Sequence, residues 1–150
     1  MSLTQFAVPT AVAVPGMTVR ELFTECVRAD VAGLPFRAAS GEFTGKASIR
    51  HVLREVCIPQ AMIDHARLLG DDIEALRFPR IRKQWLLEQT IDDFILRDLP
   101  TVTPVSPLAK ALAIMESHDT TYLFVIDADN KYYGTLSIVS LARRLLKPDP

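Results

Sequence analysis

Thr121-Tyr122-Leu123-Phe124-Val125-Ile126, then Asp127-Ala128-Asp129-Asn130-Lys131, then Tyr132-Tyr133-Gly134-Thr135-Leu136-Ser137 decide the fold of this chain. The first run is rich in aromatic and β-branched residues, which suit a pleated, half-buried surface, and the polar stretch after it has hairpin length. Two paired strands are expected. Gly134-Thr135-Leu136-Ser137 ends the second strand at a serine placed to cap a helix beginning at Ile138. The stretch has an echo 89 residues earlier: Gly134 maps onto Gly45, Ser137 onto Ser48, Leu123 onto Leu34, Asp119 onto Asp30 and Leu108 onto Val19, without a gap. A repeat held in register over that length indicates two copies of one structural unit.

Working outward, Val8 to Val14 reads as a short extended piece, because Pro9 and Pro15 exclude helix and Gly16 makes a turn. Met1 to Gln5 carries no signal. Thr18 is placed to cap a helix in which Val19, Leu22, Phe23, Cys26 and Val27 recur at spacings of three and four. Strands are expected over Val31 to Ala38 and Phe43 to Ala47, joined by Ala39-Ser40-Gly41-Glu42, and Ser48 caps a helix to about Val56. Unit one is therefore strand, helix, strand, strand, helix. Unit two repeats the order, with Pro100 to Val105 as lead strand, Ser106-Pro107 as helix cap and first helical position, and Leu108, Ala111, Leu112 and Met115 as the apolar stripe. Between the units, residues 57–90 hold helical patterns at Met62, His65, Ala66 and Leu69 and at Ile81, Trp85, Leu86 and Gln89, with Gly70-Asp71-Asp72 and Phe78-Pro79 as breaks. Two helices packed on the module are expected there.

With 150 residues, 49% of them hydrophobic and 23% charged, the chain can bury a substantial core and is too apolar to be disordered. The net charge of −1 removes any global electrostatic case for nucleic acid or an anionic membrane surface. No apolar run approaches the roughly 20 residues that span a bilayer, and a signal-peptide pattern is missing, so a cytoplasmic protein is expected. Cys26 and Cys57 fall in helical apolar patterns without metal-ligand spacing, and two buried reduced thiols are expected.

Leu34-Pro35-Phe36, Gly45-Lys46-Ala47-Ser48 and Gly134-Thr135-Leu136-Ser137, each after a helix of suitable length, resemble the paired cystathionine-β-synthase (CBS) domains of a Bateman module. The resemblance covers residues 8–56, as repeat 1, and 91–147, as repeat 2. It implies an α+β fold of two βαββα repeats packed about a pseudo-twofold axis, with the helical segment 57–90 inserted between them and two clefts at their junction. It further implies a non-catalytic regulatory module whose clefts bind an adenosine compound such as AMP, ATP or S-adenosylmethionine, which acts on an effector protein, and which forms a homodimer. A structural or partner-binding pair with degenerate, empty sites is the alternative.

A glycine at a strand end admits close backbone approach, and a serine hydroxyl beside free helix N–H groups suits an anion. The candidate ligand-binding residues are Ser48, His51, Gly134, Thr135, Ser137 and Ser140. Ser48 and Ser137 match the family's hydroxyl position. Three residues on, where the family's nucleotide-binding copies place an aspartate for the ribose, this chain has His51 and Ser140. A neutral hydrogen bond from Ser140 contributes a net of roughly 1 kcal/mol, about half of what a charged acceptor gives. A protonated His51 suits a phosphate instead.

Other constellations fail. Asp127-x-Asp129 starts like a calcium loop, but Lys131, Tyr132 and Ile138 stand where a ligand, a glycine and a glutamate are needed. Arg77, Arg80, Arg82 and Lys83 beside Phe78 and Trp85 follow Asp71, Asp72 and Glu74, and read as a solvated helix face. His65, Asp64 and Cys57 lack triad spacing, a nucleophile elbow or a P-loop. His118 suits the negative end of its helix. Leu141, Leu145 and Leu146 are the candidate dimer surface.

Overall fold

In a computed structural model, which describes residues 2–71 and 82–149, the principal strands and helices of the two units correspond on the offset read from the sequence. Unit one contains α1 (Val19–Ala29), β2 (Gly33–Arg37), β3 (Phe43–Ser48) and α2 (Ile49–Cys57), preceded by a short β1 (Ala7–Val8). Next come α3 (Gln60–Asp64) and α4 (Lys83–Glu88), and then unit two: β4 (Thr101–Val102), α5 (Leu108–Ser117), β5 (Tyr122–Ile126), β6 (Tyr132–Ser137) and α6 (Ile138–Leu145). The hairpin registers match at the same offset. Gly33 faces Ser48 as Tyr122 faces Ser137, Phe36 faces Gly45 as Val125 faces Gly134, and each hairpin carries its bulge at the next residue. The left-handed residues after the first helices, Asp30 and Asp119, also correspond.

The lead strands differ from expectation. The segment expected as one strand from Val8 to Val14 divides: Ala7 and Val8 pair with Leu136 and Thr135 of β6, and Ala13 makes a parallel bridge to Phe36 of β2. In unit two, Thr101 and Val102 run parallel to β5, and Leu96, just upstream, bridges back to Lys46 of β3. Each unit's leading segment is thus stitched to the final strand of the other unit. The glycines in those final strands make this possible. A Cβ on Gly134, whose φ is +154°, would lie 2.7 Å from the Val8 carbonyl oxygen, and one on Gly45 would overlap the Leu96 carbonyl oxygen. The N-terminus also takes part in the fold, since Leu3 and Phe6 are buried in the core of unit two and the Leu3 amide donates to the Pro104 carbonyl at 3.1 Å.

Three apolar clusters follow from strand alternation. Val19, Leu22, Cys26, Leu34 and Val52 form the core of unit one, and Val102, Ala111, Met115, Leu123 and Leu136 that of unit two. The opposite face of β5, with Tyr122, Phe124 and Ile126, packs with Phe43 and Tyr132 between the units. There, residues meet their own offset partners, as residues beside a twofold axis must. The Phe43 and Tyr132 rings lie 6.1 Å apart, the Asn130 side-chain amide donates to the Gly41 carbonyl at 2.8 Å, and the Tyr122 hydroxyl fills the space a side chain on Gly33 would take.

Thr18 and Glu21 form a reciprocal capping box at α1, as the sequence indicates. Ser106 behaves otherwise: Pro107 occupies the cap position of α5 without a side-chain bond, and the Ser106 hydroxyl instead accepts from the Thr103 amide at 3.1 Å. Between the units α4 buries Leu86 against α1, but α3 is a single exposed turn with no buried residue, so Met62, His65 and Leu69 do not form a packed helix. Ile81, Arg77, Phe78, Pro79, Arg80 and the 72–74 part of the acidic run lie outside the described residues. Cys57 is half-buried rather than buried, whereas Cys26 is fully enclosed. Asp127 makes the hairpin turn, accepting from the Asp129 and Lys131 amides at 2.9 and 3.0 Å. No helix among the described residues is long and apolar enough to cross a membrane, and no group of His, Cys, Asp or Glu among them is placed to hold a metal.

Candidate functional site

Two cavities open where the units meet, and they share a wall of Ala32, Thr121 and Tyr122. The first, of about 470 Å3, is floored by Lys46 and Ser48 at the end of β3. Arg50, His51 and Arg54 edge it from α2, and Glu116, His118, Asp119 and Thr120 face it from the end of α5. The second, of about 430 Å3, is its offset counterpart: Ser137, Ile138 and Val139 on one side, Asp30 and Val31 on the other.

The sequence candidates are thereby divided. Ser48 and His51 line the first cavity and Ser137 lines the second. Gly134, Thr135 and Ser140 line neither. Gly134 lies beneath β1, and its lack of a side chain serves the approach of the Val8 carbonyl. Thr135 is fully buried, with its hydroxyl 2.9 Å from the Tyr132 hydroxyl, which is in turn 2.7 Å from the Thr10 hydroxyl. Ser140 closes a capping box: its hydroxyl accepts from the Ser137 amide at 2.8 Å and donates to the Ser137 carbonyl at 3.0 Å, while its own amide donates to the Ser137 hydroxyl at 2.9 Å. The corresponding cap in unit one is looser, with the His51 amide 3.4 Å from the Ser48 hydroxyl. The His51 amide thus holds the Ser48 hydroxyl less closely than the Ser140 amide holds that of Ser137.

Residues outside the predicted set dominate the charge of the first cavity. Lys46 is buried, its ammonium 4.0 Å from an Asp98 carboxylate oxygen and 5.1 Å above the Tyr122 ring. Burial pushes its pKa down, Asp98 acts in the opposite sense, and the nearby Arg50 adds to the lowering. Asp98 also holds His118, carboxylate oxygen to Nδ1, at 2.8 Å. The Tyr122 phenol is pushed up by burial, partly offset by a hydrogen bond with Ser48. A signal for the arginines was present in Ile49-Arg50-His51-Val52-Leu53-Arg54, where a cap serine is followed by arginines one helical turn apart on one face. Lys46 and Tyr122 had no such signal, because each reaches the cavity only through the packing of one unit on the other.

A sequence profile described as "CBS domain" matches residues 91–147. That stretch is similar to a CBS domain. Solved structures share the fold over nearly the whole chain. A CBS domain-containing protein of unknown function from Bacillus anthracis matches with a TM-score of 0.64 at 16% identity, covering 97% of this chain and 92% of its own. An uncharacterized conserved protein from Pyrococcus horikoshii gives 0.65 at 14%, covering 99% and 95%. CBSX2, solved in complex with AMP, gives 0.62 at 19%, covering 97% and 96%. A search of curated proteins returns no match. The α+β architecture of two packed CBS repeats is therefore the fold of this chain.

Proposed function

We propose that this CBS pair is a non-catalytic regulatory module that senses an adenosine compound, AMP, ATP or S-adenosylmethionine, in the cavity at Ser48. The observation that carries the reading is the convergence of Lys46, Arg50, His51 and Arg54 on a cavity of about 470 Å3 whose far wall belongs to the other unit. That volume falls within the roughly 300–1,000 Å3 of small-molecule sites. The cations and the open N-terminal N–H groups of α2 suit phosphate. Asp119, on the opposite wall, supplies a carboxylate for ribose hydroxyls in place of the one missing at His51. Support also comes from the AMP complex of CBSX2, which shares the fold. Because the ligand touches both units, it favours the arrangement of the pair that grips it best, by its differential affinity, and this arrangement is what an effector protein reads.

Calorimetric titration with AMP, ADP, ATP and S-adenosylmethionine, run beside thermal melts, tests the reading. A ligand of the folded state raises the melting temperature with concentration, by roughly 2.7 kcal/mol of stability at a hundredfold excess over Kd. Absence of heat and of any shift up to millimolar ligand would remove the sensor. The module further acts as a homodimer in this reading, because α6 leaves Ile138, Val139, Leu145 and Leu146 exposed, the last at 87%. Leu141, expected on that surface, is buried in its own unit. Light scattering on the native chain and on Leu145→Glu/Leu146→Glu decides this, with twice the chain mass expected only for the former.

A further inference from the structure

The offset that relates the two cavities also exposes how differently they are furnished. Lys46, Arg50, His51 and Arg54 correspond to Thr135, Val139, Ser140 and Arg143, so the second unit retains one cation of the set. Arg143 donates to an Asp30 carboxylate oxygen at 2.7 Å, between the units, and of the two only Asp30 lines the second cavity. The corresponding pair, Arg54 and Asp119, is not made. Arg54 turns along its own surface to Glu55 and Gln60, at 2.7 and 2.6 Å, and both Arg54 and Glu55 are exposed. An exposed pair of this kind is exchanged for a ligand at little cost, because water screens it already. The second cavity, meanwhile, presents Ile138, Val139 and Val31 beside a serine whose hydroxyl is engaged in its own helix cap.

We infer that the pair binds one ligand per chain, at Ser48, and that Arg50 and Arg54 make this site selective for a polyphosphate over a monophosphate. The adenosine part of the ligand rests on the function proposed above, whereas the polyphosphate part rests on the cation cluster alone. Arg50 and Arg54, one helical turn apart at the rim, lie farther out than Ser48 and Lys46. A first phosphate seated at Ser48 and Lys46 leaves them for the phosphates that follow. Arg50 makes no ion pair among the described residues, and a guanidinium matches phosphate oxygens in bidentate fashion.

The test titrates AMP, ATP and inorganic tripolyphosphate, without divalent cations, into the native chain, into Arg50→Ala/Arg54→Ala and into Arg143→Ala, while amide chemical shifts are followed. Both rim arginines are exposed, so their removal leaves folding intact. The expected result is one site per chain, ATP bound at least about tenfold more tightly than AMP, and an ATP affinity that falls with salt. Shifts should gather at residues 48–54, and tripolyphosphate should compete with ATP. In Arg50→Ala/Arg54→Ala the preference for ATP over AMP should vanish, ATP losing at least about tenfold more affinity than AMP; Arg143→Ala should leave the Ser48 site unchanged. Two sites in the native chain, shifts centred on residues 137–139, or an ATP preference that survives loss of both arginines would overturn the inference while leaving the sensor standing. Binding of tripolyphosphate without binding of any adenosine compound would do the reverse. Silence from all three ligands would end both.

Discussion

Replacing Gly134 by alanine probes the exchange of leading segments, the feature that joins the two units through their backbones. A Cβ there would sit 2.7 Å from the Val8 carbonyl oxygen, 2.8 Å from its carbon and 3.1 Å from the Ala7 Cβ. None of these is the flexible end of a side chain, so β1 must shift. The backbone adds its own cost, since a φ of +154° strains an L-residue by about 1–3 kcal/mol. Displacing β1 loosens its pairing with Leu136 and Thr135, at a net of about 1 kcal/mol per hydrogen bond lost. Together these amount to about 2–5 kcal/mol, and a chain of this size loses about 2–4 °C of Tm per kcal/mol, so a fall of about 4–20 °C is expected. Urea denaturation gives the free energy, and amide exchange at Ala7 and Val8 locates it: these amides should lose protection before those of Leu123 and Val125. An unchanged midpoint with unchanged protection at Ala7 and Val8 would refute the argument that glycine is required by the approach of β1.

Phe124→Ala removes a fully buried ring that packs edge-on against both Tyr122 and Tyr132, and should cost about 3–5 kcal/mol in urea denaturation. A loss under about 1 kcal/mol would mean the units do not depend on that interface. Glu25 is held down to about 2, from an ordinary 4.5, chiefly by its hydrogen bond with Arg28. Its folded pKa being the lower, its contribution is present above the ordinary value and is lost as pH falls from 4.5 toward 2. The Tm of Glu25→Gln should therefore fall less steeply than that of the native chain across this window, and parallel curves would count against the pair. Burial pushes the Cys26 thiol up to about 12, and that of Cys57 upward to a lesser degree. Thiol labelling of the native chain should reach Cys57 first and Cys26 only at the rate of global opening; equal rates would contradict the enclosed position of Cys26.

The repeat was legible because strand pairing, helix capping and turn chemistry are local: an apolar run, a glycine, a serine and the helix after them specify a unit wherever they recur. That is why the offset of 89 residues carried through to registers, bulges and left-handed residues alike. Thr18 and Ser137 announced their caps for the same reason, and Ser106 misled because a hydroxyl before proline serves a turn as readily as a helix. At the site, Ser48 and His51 could be found from spacing along one element. Gly134 could not be interpreted that way, since nothing in the sequence says that β1 of the opposite unit will pass over it.

The amino-acid order by itself determined two copies of one α+β unit and the hydroxyl at each helix start. Tertiary structure alone decided which leading segment joins which sheet and which cavity gathers cations. The physical reason is range. Hydrogen-bonded elements arise from neighbours along the chain, whereas the charge of a cavity between two units depends on side chains far apart in sequence, such as Lys46 and Tyr122, brought together only once the units have packed.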